Sequence, residues 1–284
     1  MITITIPVPP GFSFKATVES HGWPQLAPFR YEDNILHYTY RLSTGRTTTL
    51  TFTDGIHIEA DISLTGEEQT EVIHATKRIF GTQLDLTEFY ALTHDIPRLA
   101  WVEQIGAGRL LAAPTVWEDM VKTLLTTNVS WTNTVNMVAR LCDYGDTATD
   151  GSHAFPTPQQ IALQDPEALN AHVRAGYRMK SLHGLAIAIA SGELNTEAWR
   201  DSDLPAEARY AEIIKQHGFG AYAAGSMMRL LGHHEWLALD SVAKAAFATL
   251  HNKGKKPTNA QIEEFYAPYG KWRGLVIWMD ILMS

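Results

Sequence analysis

The segment that decides the fold is residues 213–244, which read IIKQHGFGAYAAGSMMRLLGHHEWLALDSVAK. It predicts a helix, a tight turn at Gly218-Phe219-Gly220 and a second helix that follows at once. Two glycines in such a turn permit positive φ and leave backbone amides uncovered. The start of the second helix favours a bound phosphate through its unpaired amides and its dipole. The same spacing is also typical of a plain helix connection in which the glycines serve geometry alone.

One acidic residue stands out at the end of this segment. Asp240 follows the apolar run 236–239 and precedes Ser241, where a further helix is predicted. An aspartate at this place is a common helix N-cap. A carboxylate that caps a helix can also face a cleft, so the two interpretations are compatible.

The rest of the chain separates into a strand-rich first third and a helical remainder. Alternating apolar and β-branched residues, with short turns between them, predict antiparallel strands at Ile2–Ile6, Phe12–Val18, Ile35–Leu42, Thr48–Phe52 and Ile56–Ile62. A helix with a capping-box pattern is predicted at Thr65–Phe80. Further helices are predicted at 87–95, 115–128, 131–142, 158–164, 166–175, 178–191, 205–216, 221–231, 241–251, 259–266 and 271–283. The fold class is therefore α+β.

Composition excludes several classes of protein. The 284 residues include 23 Lys and Arg against 31 Asp and Glu, a net charge of −8, which excludes a chain that coats polyanions by bulk charge. The single cysteine, Cys142, excludes a disulfide framework, a four-cysteine zinc site and a four-cysteine iron–sulfur cluster. No apolar run approaches a membrane span, and no secretory signal opens the chain. A cytoplasmic location is expected.

Four segments together resemble the helix–hairpin–helix (HhH-GPD) DNA glycosylase superfamily. The first is GFGAYAA at 218–224, within a hairpin near 213–231, together with LDSV at 239–242, in which an aspartate begins a helix. The others are LLTTN at 124–128, GYRMK at 176–180 and YGKWRGLVIW at 269–278. The resemblance is specific from about residue 110 onward.

The resemblance also implies a domain plan. An antiparallel β domain ahead of the helices is found in the alkyladenine (type II) and 8-oxoguanine branches. The endonuclease III branch lacks it and usually carries four cluster cysteines. We therefore expect a TBP-like antiparallel β domain with one or two helices at 1–90 and an all-helical glycosylase domain at 91–284.

In this family the aspartate stabilises the cationic sugar while the base leaves and orients the attacking water, so the resemblance assigns Asp240 as the catalytic residue. Branches that also cut the strand carry a lysine where this chain has Tyr222. A phenol forms no Schiff base. The expected activity is thus a monofunctional glycosylase that acts on a damaged purine in base excision repair.

The resemblance implies a base pocket as well. The 8-oxoguanine enzymes hold the base between a ring and a thiol, with a glutamine on its edge. Those places match Trp278, Ser226 and Gly274 here, and an arginine that reads the opposite cytosine matches Asn133. These substitutions favour an aromatic pocket for an alkylated, positively charged purine. The expected pocket residues are Tyr222, Ser226, Trp272, Trp278 and Trp131, although tryptophans at helical spacing are also typical of a core.

The remaining expectations concern DNA. The implied DNA-binding residues are Gly218, Phe219, Gly220, Asn128, Tyr177, Arg178, Lys180 and Lys244, with Arg109 as added charge and Tyr177 as the wedge that fills the gap left by a flipped base. The family often holds a monovalent or divalent cation on hairpin carbonyls, here Ile214, Gln216 and Phe219. No other cofactor and no iron–sulfur cluster is expected. The expected partner is double-stranded DNA with a damaged base, bound by a monomer at the nucleoid and not at a membrane.

Three alternatives stay open on sequence grounds. One is an 8-oxoguanine-type glycosylase. Another is a lesion-binding module without activity, and the last is a protein that uses the hairpin only structurally. Two further patterns predict ordinary roles: Glu118 and Asp119 as a solvated pair on a helix face, and His233-His234 as loop residues and not metal ligands.

Overall fold

The computed structural model describes residues 3–201 and 204–284. Within these residues the strands are β1 (Thr3–Thr5), β2 (Phe29–Glu32), β3 (Ile35–Arg41), β4 (Thr47–Thr53) and β5 (His57–Ala60). They form one sheet in the order β1-β5-β4-β3-β2, and every neighbouring pair is antiparallel. The predicted antiparallel sheet is confirmed. Its likeness to a TBP-type domain stays a prediction.

The sheet buries one face through alternate residues of β3 and β4. Leu36 lies opposite Phe52 and Tyr38 lies opposite Leu50. All four side chains are buried. Because successive strand residues point to opposite faces, this register places the four on the same side of the sheet.

Two features of the first third differ from the predictions. The segment Phe12–Val18, predicted as a strand, forms helix α1 (Phe14–Val18). The Ser13 hydroxyl starts it by accepting a hydrogen bond from the Ala16 amide at 3.2 Å. Strand β2 is not predicted by the sequence pattern. The other predicted strands are confirmed within two residues, except that Ile2 lies outside the described residues.

The helical prediction is confirmed for most of the chain. Helices over 131–142, 241–251 and 259–266 begin and end where predicted, and the others agree within three residues, whereas α4 and α10 are not predicted. The α-helices are α1, given above, α2 (Gly66–Ile79), α3 (Thr87–His94), α4 (Trp101–Gln104), α5 (Val116–Leu125), α6 (Trp131–Cys142), α7 (Pro158–Ala162), α8 (Pro166–Val173), α9 (Arg178–Ala190), α10 (Ala198–Asp201), α11 (Ala206–Ile214), α12 (Ala221–Leu230), α13 (Ser241–His251), α14 (Asn259–Tyr266) and α15 (Arg273–Met283). Short 3₁₀ helices span Trp23–Gln25, Pro97–Leu99 and Ala267–Trp272.

The chain forms two compact units. The first comprises Met1–Gln83 and Leu110–Ser202, and the second comprises Leu84–Arg109 and Asp203–Ser284. The sheet and α5–α10 thus share the first unit, while α3, α4 and α11–α15 form the second. The two units differ from the domains predicted by the sequence, because each unit contains residues from both sides of the predicted boundary at residue 90. Among the described residues, no helix has the length and apolar character needed to cross a membrane.

The prediction that Glu118 and Asp119 are solvated is wrong. Both are buried on α5. The Lys122 ammonium lies 2.6 Å from Glu118, and Asp119 accepts hydrogen bonds from the Arg78 guanidinium at 2.9 Å and the Trp23 indole at 2.8 Å. Buried carboxylates persist when they are paired in this way. Two of these partners come from segments far away in the sequence, which is why the helical pattern of α5 alone misplaces the pair.

Candidate active site

The hairpin between α11 and α12 has the predicted geometry. Gly218 adopts φ = 90°, a conformation that residues with a Cβ rarely adopt. The Phe219 amide donates to the Gln216 carbonyl at 3.0 Å, and the Phe219 ring is buried, which anchors the turn. Gly218 and Gly220 are exposed. The first amides of α12 have no acceptor within the helix, and Gly220 provides no side-chain cap for them.

Asp240 is the N-cap of α13, as predicted. Its Oδ1 accepts a hydrogen bond from the Ala243 amide at 2.8 Å, and its side chain is half-buried. Among the described residues, no hydrogen bond reaches Oδ2. The cap therefore fixes the direction of the carboxylate while one oxygen stays available to another group.

The segment between α12 and α13 is held in place by two glycines. Gly225 on α12 lies against the backbone of Ala238, where a Cβ would be 3.4 Å away. At Gly274 on α15, a Cβ would lie 2.3 Å from the Trp236 carbonyl oxygen, and the Gly274 amide donates to the His234 carbonyl at 2.7 Å. A side chain at position 274 is therefore excluded. This close approach fixes the path of the chain that leads to Asp240.

A buried arginine lies beside the predicted base pocket. The Arg229 guanidinium carbon is 4.6 Å from the centroid of the Trp278 ring. Burial lowers the pKa of Arg229 to about 10, and the charges of Tyr222 and Asp240 act in the opposite direction. Arg229 therefore stays protonated at neutral pH. The sequence analysis missed this residue, although a lone charge in the apolar run MMRLL at 227–231 was a signal that it is buried.

Trp272, the other pocket candidate on this side of the chain, packs between two rings of the second unit. His234 stacks on it with centroids 5.5 Å apart, and Phe89 lies 5.4 Å away. These contacts give Trp272 a packing role. Its predicted role in binding a base stays a prediction.

His234 lines a cavity of about 250 Å³ in the second unit. Its ring is buried, and neither ring nitrogen has a hydrogen-bond partner among the described residues. Other lining residues are Asp85, Glu88, Gly232, Glu235, Lys271 and Trp272. No group of three His, Cys, Asp or Glu side chains in the described part of the chain could hold a metal ion.

The burial of His234 predicts a stability that falls in acid. Burial, Arg229 and His233 together lower the pKa of His234 to about 3. As pH falls below about 6.5, His234 becomes protonated in the unfolded state but stays neutral in the folded state. Acid therefore stabilises the unfolded state, and the free energy of unfolding decreases. We expect a loss of about 2 kcal/mol from this group between pH 6.5 and pH 5. Urea denaturation across this range should show a shallower pH dependence for His234→Phe.

His94 provides a matched control for this prediction. The hydrogen bond and charge of Glu103 raise the pKa of this exposed histidine. His94→Gln therefore removes a shift of opposite sign and should slightly steepen the loss of stability in acid. An unchanged pH dependence in His234→Phe would contradict the predicted role of His234.

The GYR segment of the first unit places an aromatic side chain in solvent. Tyr177 is 67% exposed and accepts a hydrogen bond from Asn128 at 3.4 Å. Arg178 differs from expectation because it is buried and donates to the carbonyls of Thr127 and Asn128. It therefore holds the turn at Asn128 in place, and its contact with DNA stays a prediction. Lys180 is exposed, as its predicted role requires.

The remaining candidates lie in both units. Trp131 belongs to the first unit, where its indole donates to Gln25 at 2.7 Å and its ring covers Gly22. Tyr222, Ser226 and Lys244 belong to the second unit and are half-buried. Arg109 is buried and donates to the Leu84 carbonyl at 3.0 Å, so the expectation that it adds charge for DNA is wrong.

Known proteins with a similar sequence or fold are DNA glycosylases. DNA-3-methyladenine glycosylase of Bacillus subtilis is 24% identical over 213 residues, which cover 72% of this chain and 70% of that protein. The 3-methyladenine DNA glycosylase structure from Archaeoglobus fulgidus superimposes with a TM-score of 0.79 at 17% identity, and each chain is covered completely. The chain has the fold of the helix–hairpin–helix DNA glycosylases. No family model matches it.

The 8-oxoguanine branch of the helix–hairpin–helix DNA glycosylases has a similar fold. The 8-oxoguanine glycosylase/lyase of Clostridium acetobutylicum, in complex with double-stranded DNA, superimposes with a TM-score of 0.73 at 18% identity over 96% of this chain and 91% of that one. The resemblance seen in the sequence is confirmed. At these identities the structural match establishes the fold, and the chemistry depends on the residues of this chain.

Proposed function

We propose that this protein is a DNA glycosylase that removes a damaged purine from duplex DNA. The observation that carries the proposal is Asp240, which is held as the N-cap of α13 with one carboxylate oxygen available. It follows a hairpin with two exposed glycines in a glycosylase fold. The relatives from Bacillus subtilis and Archaeoglobus fulgidus are named for the release of 3-methyladenine.

In the proposed reaction, the bond between C1′ and the purine nitrogen breaks and its electron pair leaves with the base. Positive charge develops on the sugar, and the fixed Asp240 carboxylate stabilises it electrostatically. Oδ2 orients a water molecule, which adds to C1′ and transfers a proton to the carboxylate, while a departing base that is anionic takes up a proton from solvent. The hydrogen bond from the Ala243 amide holds the carboxylate in position for both tasks.

We further propose that the enzyme is monofunctional. Tyr222 lies in the first turn of α12, at the place where strand-cutting branches carry their lysine. A phenol oxygen does not form the Schiff base through which a lyase works. Hydrolysis by water is then the route that the residues of this chain support.

DNA would be held by several local groups. The exposed glycines Gly218 and Gly220 leave room for a backbone phosphate at the start of α12, and Lys244 and Lys180 would add charge. Tyr177 is exposed as a wedge requires.

A cation at the hairpin is a further proposal. Ile214 ends α11, so its carbonyl is among those that lack a donor within the helix and could be a ligand together with Gln216 and Phe219. Such a cation would neutralise phosphate charge next to the hairpin.

The 8-oxoguanine alternative has support from the similar folds but less from the residues. At position 274, where that branch places a glutamine, the backbone of Trp236 and His234 leaves no room for a side chain. Ser226 replaces the thiol. A base pocket at Trp278 would therefore recognise its base by other contacts.

The test is a base-release assay on duplexes that carry 7-methylguanine, hypoxanthine or 8-oxoguanine, with and without hot alkali, which cuts abasic sites. The proposal expects cutting of at least one duplex that depends on alkali. Cutting without alkali would show lyase activity and refute the monofunctional assignment. No release from any of these duplexes would refute the proposed function and favour a binding module.

A further inference from the structure

Two turns of the first unit are joined by one buried arginine. The turn after α5 contains Asn128, whose φ is 48°, and the turn before α9 contains Gly176 and Tyr177. Arg178 begins α9 and is 7% exposed. Its Nε donates to the Thr127 carbonyl at 2.8 Å, and its Nη2 donates to the Asn128 carbonyl at 2.9 Å. One guanidinium therefore connects two segments that are 50 residues apart in the sequence.

The same guanidinium also contacts the exposed aromatic ring. Its central carbon lies 4.6 Å from the centroid of the Tyr177 ring. The Asn128 amide donates to the Tyr177 hydroxyl at 3.4 Å, and both of these side chains are exposed. Arg178 is thus the buried member of a group of three side chains whose other two members reach solvent. A planar guanidinium can donate to two carbonyls and lie on a ring at once, which an ammonium cannot do in the same way.

The charge of Arg178 does not explain its place in the fold. It is the first residue of α9, and the dipole of a helix disfavours a cation at that end. Its acceptors include a third main-chain carbonyl, that of Ala175 at 3.3 Å. The left-handed conformation of Asn128 is one that surrounding contacts must hold in place. The contacts of Arg178 are therefore suited to fixing the two turns.

We propose that Arg178 is a positioning residue that holds the Tyr177 ring and the Asn128 turn in the arrangement in which they enter a duplex at a flipped base. This inference rests on the proposed glycosylase function, in which Tyr177 fills the gap left by the base. A ring that is already held loses little conformational entropy when it is inserted, so this arrangement favours DNA that contains a gap. Arg178 thereby acts through Tyr177 and Asn128, and not through a contact of its own with DNA.

The test measures dissociation constants for two duplexes that differ only in one tetrahydrofuran abasic-site analogue, by fluorescence anisotropy at several salt concentrations. Wild type should bind the abasic duplex more tightly than the intact one. Arg178→Met should lower this preference about fivefold, the scale on which the ordering of one side chain affects binding. The salt dependence should stay as in wild type, because no phosphate contact is lost. Arg178→Lys should also lower the preference, since it keeps the charge but not the planar fork.

Lys180→Gln provides the comparison, because Lys180 is exposed on the same helix and is proposed to add charge for DNA. It should weaken the binding of both duplexes equally and reduce the slope of log affinity against log salt by about 1. Equal weakening with a reduced slope in Arg178→Met would show a direct contact of Arg178 with a phosphate and overturn the inference. A wild-type preference in Arg178→Lys would overturn it as well.

The exposed Asn128 decides the question if the Arg178 variants do not fold. Asn128→Gly and Asn128→Val both remove the amide side chain, but only glycine adopts a φ of 48° without strain. Because valine would displace the carbonyl that Arg178 holds, Asn128→Val should show a preference about threefold or more below that of Asn128→Gly. Equal preferences would contradict the inference.

The behaviour of wild type separates this inference from the proposed function. A wild type that releases a damaged base but binds the two duplexes equally overturns the inference alone. A wild type that releases no damaged base and binds neither duplex at low salt overturns the proposed function and the inference with it.

Discussion

Asp240→Asn is expected to lower the rate of base release by roughly 10³-fold, the scale on which a positioned charge and an oriented water contribute to catalysis. The amide keeps the size of the carboxylate and its carbonyl can still accept the Ala243 amide. It carries no negative charge to stabilise the developing sugar cation. The measurement is the single-turnover rate of base release from the duplex on which wild type acts fastest, with alkali used afterwards to cut the abasic sites.

The unfolding midpoint of Asp240→Asn distinguishes a loss of catalysis from a loss of folding. Asn and Asp are nearly equivalent N-caps, so the unfolding midpoint of Asp240→Asn should stay close to that of wild type. Asp165→Asn is the matched control, because Asp165 caps α8 by accepting the Ala168 amide at 2.8 Å in the first unit. It should keep full activity. Activity of Asp240→Asn within tenfold of wild type would refute the catalytic assignment.

The elements that the sequence predicts well are those whose signals are local. The capping box at Thr65 and Glu68 is present with both of its hydrogen bonds, and α2 begins directly after it. Asp240 caps α13 as its position before a helical segment indicates. Each of these signals depends on residues within one turn of each other, so no knowledge of distant contacts is needed.

Errors occur where distant contacts decide. The alternating apolar residues of 12–18 suit a strand, but Phe14 packs against Phe80 at the end of α2, with ring centroids 5.4 Å apart, and the segment is helical. The segment forms a short helix because Ser13 caps its N-terminus and its apolar side packs against Phe80. Tertiary packing overrides local propensity here.

The candidate site shows the same division. Asp240 and the glycine hairpin are recognisable from spacing, because each is defined by its own segment. Arg229 and Gly274 acquire their importance from the Trp278 ring and from the backbone of Trp236, which no local pattern places beside them. The sequence could therefore predict the helix-capping carboxylate but not the burial of Arg229 or the close backbone approach at Gly274.

Asp280 on α15 joins four elements of the second unit. Its buried carboxylate accepts hydrogen bonds from Arg98 at 3.1 Å and from the Tyr266 hydroxyl at 2.7 Å, and it lies 2.9 Å from the His251 ring nitrogen. Arg98 belongs to the 3₁₀ helix Pro97–Leu99, Tyr266 to α14 and His251 to the end of α13. The network thereby holds the far end of the helix that begins at Asp240.

Asp280→Asn should lower the free energy of unfolding by about 3 kcal/mol, because it removes a buried carboxylate that pairs with the half-buried Arg98 guanidinium and turns an amide N–H₂ toward other donors. Urea denaturation measures this loss. Glu88→Gln is the matched control, since the ion pair of Glu88 with Lys271 is exposed and should contribute less than about 1 kcal/mol. A loss in Asp280→Asn as small as that in Glu88→Gln would mean that apolar packing, and not this carboxylate, holds α13, α14 and α15 together. In that case the position of Asp240 would depend on Gly225 and Gly274 instead.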